Sequence, residues 1–148
     1  MRYIGDGRPW PEERARRFVA RQIELFDERG FCLWKLTPRL DGEARGLIGF
    51  CGLQPLPEIE PGIMEIEIGW WLARAWWGRG LATEAGRAAM RDGFERIGLE
   101  RIVAIAQPAN TRSVGIMRKL GMRFERMANP RGIPVVLYAL DVTPAVAP

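Results

Sequence analysis

Histidine is absent from the 148 residues, and cysteine occurs only as Cys32 and Cys51. The first absence removes imidazole bases, Ser-His-Asp and Cys-His nucleophile systems, and histidine-containing metal sites at once. Two cysteines cannot complete a structural zinc site, so no metal is expected. Both lie in apolar runs, "FCLWKL" and "LIGFCGL", which fits free thiols in a reducing cytoplasm; a hairpin disulfide is the alternative. Lysine is nearly missing too. Only Lys35 and Lys119 occur, so the net charge of +4 rests on arginine. The arginines are scattered rather than clustered, which argues against a nucleic-acid partner, although the positive field would attract an anionic ligand. No window approaches the ~18 apolar residues of a membrane span, and the first residues carry no apolar targeting core, so neither membrane nor secretion is expected.

What is present suits one globular domain over 1–148: hydrophobic residues make up 47% and charged residues 27%, ordinary values for a chain able to bury a core. Pro11, Glu12 and Glu13 open a helix over about 11–29, marked by Val19, Ile23 and Phe26 and stopped by Gly30. Two strands follow, 31–37 and 45–53, with Asp41-Gly42 as a hairpin signal. A proline-rich loop, "QPLPEIEPG", then leads into "IMEIEIGWWL". Alternation there sets Met64, Ile66 and Ile68 against Glu65, Glu67 and Gly69, so one strand face is acidic. A helix over about 80–97 presents Leu81, Ala85, Ala88 and Ala89 as a small-residue stripe. "RIVAIAQP" reads as a central strand covered on both faces. A helix over 111–120 has Asn110 at its N-cap, Val114, Met117 and Leu120 on one side, and Gly121 as its stop. Strands near 123–128 and 133–140 flank the turn "NPRG", and the tail "DVTPAVAP" is expected to be loose. This order makes a mixed α/β sheet with helices on both faces.

The densest stretch is "WWLARAWWGRGLATEA", residues 70–85, with four of the six tryptophans and two glycines just ahead of a helix. Gly78, Gly80 and Ala82 fit neither G-x-G-x-x-G nor the phosphate loop that ends in Gly-Lys-Ser/Thr. A glycine pair feeding a helix N-terminus nevertheless suits close approach of a phosphate, with the unpaired N–H groups of the first turn as donors. Gly78, Arg79, Gly80, Leu81 and Ala82 would supply them.

At this point the chain resembles the GNAT superfamily of acyl-CoA-dependent N-acetyltransferases, whose signature is Q/R-x-x-G-x-G/A. Within it, the chain resembles the RimJ/RimL-like branch. "WWGRGLATEA" is similar to that branch's W-G-x-G-x-A-T-E-A, which includes Thr83. "NTRSVGIMRKLGMRFE" is similar to its N-x-x-S…KLGF element, and "GDGRPW…F…GFCLWKL" to its N-terminal region. The resemblance implies the acyl-CoA N-acyltransferase fold, α/β (α+β), with a mostly antiparallel sheet splayed between the strand ending at Leu72 and the strand at 101–107. It implies acetyl-CoA as co-substrate, its pantetheine arm pairing with Trp70, Trp71 and Leu72 and its diphosphate on the turn, with Trp77, Asn110 and Ser113 beside it. The acceptor it implies is a primary amine, foremost a protein N-terminus, with a small amine or a non-catalytic CoA-binding module as alternatives; a homodimer stays open.

Three departures bear on mechanism. Trp77 stands where the superfamily signature has Gln or Arg, as is common in this branch. Met117 stands where many members carry a Tyr acid, which leaves Ser113, water or no side chain to protonate the departing thiolate. Family members usually begin with a strand and a helix ahead of the segment similar to "GDGRP", which stands at the start here, so the expectation is either a trimmed or mis-assigned start or a sheet lacking an edge strand. Glu67 is the family-matched base for the acceptor ammonium, and an Arg-paired or solvated strand carboxylate is the alternative, the expected one for Glu65.

Overall fold

In the computed structural model, residues 9–40, 43–44, 46–60 and 62–142 are described. The expected Asp41-Gly42 turn, the tail 143–148 and most of the "GDGRP" segment lie outside them. The first helix, α1, covers Glu12–Arg29 and ends at Gly30, whose N–H returns to Phe26 O at 2.8 Å. The strands are β1 (Leu33–Leu36), a short ribbon of β2 (Arg39–Leu40) and β3 (Glu43–Ala44), β4 (Gly49–Glu60), β5 (Ile63–Leu72), β6 (Arg101–Ala106), β7 (Arg123–Ala128) and β8 (Val135–Asp141). Six of them form one sheet in the order β1-β4-β5-β6-β8-β7, antiparallel except where β5 meets β6.

The proline-rich segment is strand, not loop: β4 runs through Pro55 as far as Glu60 and pairs with β5. The reason is position in the sheet. β1 pairs with β4 as far as Leu33↔Gly52, and the Leu53 N–H still reaches Cys32 O at 3.2 Å; beyond that, among the described residues, β4 has a strand partner on one side only, and a proline that lacks an N–H breaks no ladder on its open side.

Helix α1 turns a different face inward than its apolar stripe suggests. Val19, Ile23 and Phe26 are exposed, whereas Gln22 and Leu25 are buried. Phe18 sets its ring edge-on to Phe50 and Trp71, with centroids 5.4 and 6.5 Å away. Gln22 Oε1 accepts the Leu33 N–H at 2.9 Å, satisfying the first donor of β1. Tertiary demand for a hydrogen-bond acceptor thus outweighed the apolar periodicity.

Helix α2 spans Leu81–Arg91 and widens into a π-helical turn, Asp92–Ile97. Its inward face is Ala82, Thr83, Gly86, Ala89 and Met90, offset from the expected stripe of Leu81, Ala85 and Ala88. Gly86 suits the offset: a Cβ there would lie 2.9 Å from Cδ1 of Leu120, the C-cap of the next helix, so a larger residue would have to push the Leu120 side chain aside. That helix, α3, covers Thr111–Lys119. It closes with Gly121 N–H on Arg118 O and Met122 N–H on Met117 O, at 3.0 and 3.1 Å, the paired bonds of a glycine-terminated helix. The core joins α2, α3 and the sheet through Ile68, Ile102, Ala104, Met117, Leu120 and Tyr138. A smaller apolar group, Val103, Leu137 and Ala139, lies on the opposite sheet face.

Candidate active site

The β5–β6 ladder contains one register pair, Glu67↔Val103. Beyond it β5 continues to Leu72 alongside β4, and β6 continues to Ala106 alongside β8. The sheet therefore splays, with Glu67 and Val103 at the apex. Below the apex the strands are clamped: Arg101 Nε lies 3.2 Å from Glu65 Oε1, and its two NH groups bond Glu125 and Asp141. One guanidinium among three carboxylates ties β5, β6, β7 and β8 together, so the sheet can part only above it.

Glu67 has different company. It is partly buried, and its Oε2 accepts from Gln54 Nε2 at 3.2 Å, a cross-strand partner in the β4–β5 register. Burial pushes its carboxyl up to about 7, and the Gln54 hydrogen bond pulls in the opposite direction. A carboxyl at that value exchanges protons near neutrality, which suits a general base. Gln54 escaped the sequence reading because "QPLPEIEPG" read as a loop; had the edge position of Pro55 been recognised, alternation would have set Gln54 opposite Glu67.

Above the apex, β5 leads through a 3-10 turn, Arg74–Trp76, into Gly78 and Gly80. Both glycines have left-handed φ, 74° and 75°, and a Cβ on either would meet nothing within 4 Å. Glycine is thus required by the backbone conformation, and the space in front of the turn is open. Gly80 caps α2 without any side-chain acceptor, and the first helical bond runs from Glu84 N–H to Gly80 O at 2.9 Å. The amides of Gly80, Leu81, Ala82 and Thr83 thus lack intrahelical partners. Ala82 and Thr83 have buried side chains, so their backbone N–H groups are what they offer. An open groove of about 600 Å³ continues past Arg79, Arg87 and Arg91.

The tryptophans divide by strand parity. Trp71 faces α1, against Phe18. Trp70 faces the other way, onto the core, and its indole N–H donates to Ser113 Oγ at 3.3 Å. Ser113 is seated by the cap of α3, donating its own N–H to Asn110 Oδ1 at 3.2 Å. Trp77 donates to Leu72 O at 2.8 Å and lies beneath the Arg112 guanidinium, 4.9 Å from its ring centroid. Leu72 thus already carries one hydrogen bond on its carbonyl, while Trp70 and Trp71 have no ladder partner on the β6 side. Glu67 and Trp70, three residues apart, point to opposite sheet faces. Glu67 therefore lies on one face of the sheet, with Gln54, and Ser113, through Trp70, on the other.

Cys32 and Cys51 are free thiols, and burial raises the Cys51 thiol to about 12. Among the described residues no group of acidic and cysteine side chains is placed to hold a metal ion, and no helix is long and apolar enough to cross a membrane.

A profile of the acetyltransferase (GNAT) domain matches residues 1–123. The chain belongs to the GNAT acetyltransferase family. An uncharacterized Bacillus subtilis protein, YkkB, is 31% identical over 109 residues, covering 74% of this chain and 60% of its own length. The chain thus spans less than two thirds of that relative's length. A Bordetella pertussis structure described as a GNAT-family acetyltransferase superposes with a TM-score of 0.79 at 26% identity, over 92% of this chain and 81% of that one. RimL, a ribosomal L7/L12 alpha-N-protein acetyltransferase, in complex with coenzyme A, shares the fold with a TM-score of 0.68 at 20% identity, over 90% of this GNAT chain and 74% of its own.

Proposed function

We propose that this GNAT chain transfers an acetyl group from acetyl-CoA to a primary amine by direct attack in a ternary complex, with a protein N-terminus as acceptor and the cytoplasm as its place of work. The observation that carries the reading is the splay between β5 and β6 with Glu67 at its apex. The diphosphate would rest on the uncapped amides of Gly80–Thr83, beside Gly78 and Arg79, where a helix N-terminus favours negative charge. The pantetheine arm would enter the splay along Trp70 and Trp71, with Asn110 and Trp77 at its sides, and so deliver the thioester between the two sheet faces. Glu67, charged above pH ~7 and hydrogen-bonded to Gln54, would take a proton from the acceptor ammonium directly or through water. Ser113 would donate to the departing sulfur. The choice of a protein N-terminus rests on the likeness to RimL and on the "WGRGLATEA" motif.

The deciding experiment measures CoA thiol release from acetyl-CoA with a panel of peptides bearing free N-termini and a panel of small amines. Turnover confined to peptides supports the reading. Turnover confined to small amines replaces the acceptor, and binding of acetyl-CoA without turnover on any amine makes the chain a CoA-binding module.

A further inference from the structure

Ser113 sits in the first turn of α3 and Trp70 near the end of β5, 43 residues apart in sequence, yet Trp70 Nε1 lies 3.3 Å from Ser113 Oγ. The indole nitrogen has a proton to give and no lone pair to accept with; a serine hydroxyl has one proton and two lone pairs. The polarity of this bond is therefore settled by chemistry: Trp70 donates, and the Ser113 proton must point elsewhere. Neither partner is free to drift. The Trp70 ring packs on the core that contains Met117 and Leu120, and Ser113 is held by its N–H bond to Asn110 Oδ1 at 3.2 Å. Both side chains are only half-buried, and Trp70 stands on the part of β5 that no longer pairs with β6. A hydroxyl that accepts a hydrogen bond also becomes a better donor, because each bond in a chain polarises the next.

We propose that Trp70 is the positioning residue for Ser113: its indole N–H occupies the acceptor side of the hydroxyl and turns the Ser113 proton toward the sulfur that leaves from the thioester. The inference rests on the acetyl-transfer reading above. When the tetrahedral centre collapses, the C–S bond breaks, its electron pair goes to sulfur, and the Ser113 proton follows while water restores the hydroxyl. The acceptor ammonium loses two protons in becoming an amide; one ends on CoA sulfur through Ser113 and the other goes to solvent. Trp70 keeps its proton throughout.

The test is a double-mutant cycle on the purified chain with acetyl-CoA and an accepted amine. Trp70→Phe, which keeps an aromatic ring and removes the N–H, should lower kcat roughly tenfold with KM for acetyl-CoA within about twofold. Ser113→Ala should do the same, and the double variant should be no slower than Ser113→Ala alone. Ser113→Thr, which keeps the hydroxyl, should retain most of the turnover. Trp70→His, which keeps a ring N–H, should retain more than Trp70→Phe, and Trp70→Leu, which also removes the N–H, replaces Trp70→Phe in the cycle if that variant does not melt cooperatively. Wild-type kcat in Trp70→Phe overturns the proposal, as does an equal loss with and without Ser113. A wild-type chain that cleaves no thioester with any amine overturns the transfer reading itself and this inference with it.

Discussion

Gln54 and Glu67 are cross-strand neighbours whose side chains meet at 3.2 Å, Nε2 to Oε2, at the apex of the splayed sheet. Two residues away on the same face of β5, Glu65 is bound to Arg101 at 3.2 Å. Adjacent carboxylates on one strand face thus meet opposite fates. Glu65 gains a cation and a structural place, while Glu67 gains a neutral amide and burial, which lifts its carboxyl to about 7.

Turnover should follow the charge of Glu67. With an accepted amine, kcat/KM should rise as pH passes through about 7, where Glu67 loses its proton. Glu67→Gln should lower it by ~100-fold or more near neutrality and recover partly at higher pH, where more amine is already deprotonated. Glu65→Gln should leave turnover nearly intact, because Glu65 is engaged by Arg101. Parallel pH profiles of the three proteins check this; a Glu67→Gln profile that overlays wild type removes the base.

Stability should depend on the same group. Glu67 ionises at the ordinary carboxyl value of 4.5 when unfolded and at about 7 when folded, so between those values the native state binds more protons. Stability is then fully present below the unfolded value and declines as pH rises through the folded one, by about 3 kcal/mol in all. Glu67→Gln removes the penalty. Its unfolding free energy should exceed that of wild type at pH 8 and nearly equal it at pH 5, read from denaturant titrations at both pH values.

Acetyl-CoA should raise the unfolding midpoint, equivalent to about 2.7 kcal/mol at a hundredfold excess over Kd, with NAD and ATP far less effective. Gly80→Glu should abolish that shift by placing a carboxylate before the uncapped amides. The substitution also forces a side chain onto φ 75°, which costs on the order of 1 kcal/mol or more by itself. The comparison is therefore between shifts with and without acetyl-CoA, not between midpoints, and a preserved shift takes the turn out of the site.

The inward face of α1 makes a separate prediction. Gln22→Leu leaves the Leu33 N–H without its acceptor inside the protein and should cost about 1–3 kcal/mol. Ile23→Ser, on the exposed side, should stay within about 0.5 kcal/mol. Equal losses would mean that the helix face is wrongly placed.

The sequence by itself determined the features that arise from short-range rules. The glycine turn ahead of α2, the Asn110 cap, the Gly121 stop and the alternation along "MEIEIGWW" each depend on a few neighbouring residues, and the motifs built from them led to the GNAT family. Tertiary structure decided whatever depended on a partner distant in the chain. That Pro55 can sit in a strand follows from where β1 stops pairing with β4, and that α1 buries Gln22 rather than Ile23 follows from a lone N–H on Leu33. Sequence placed Glu65 and Glu67 on one face without telling them apart. Their difference comes from Arg101 on β6 and Gln54 on β4, because a carboxylate's proton affinity is set by the charges, donors and solvent around it, and folding alone chooses those neighbours.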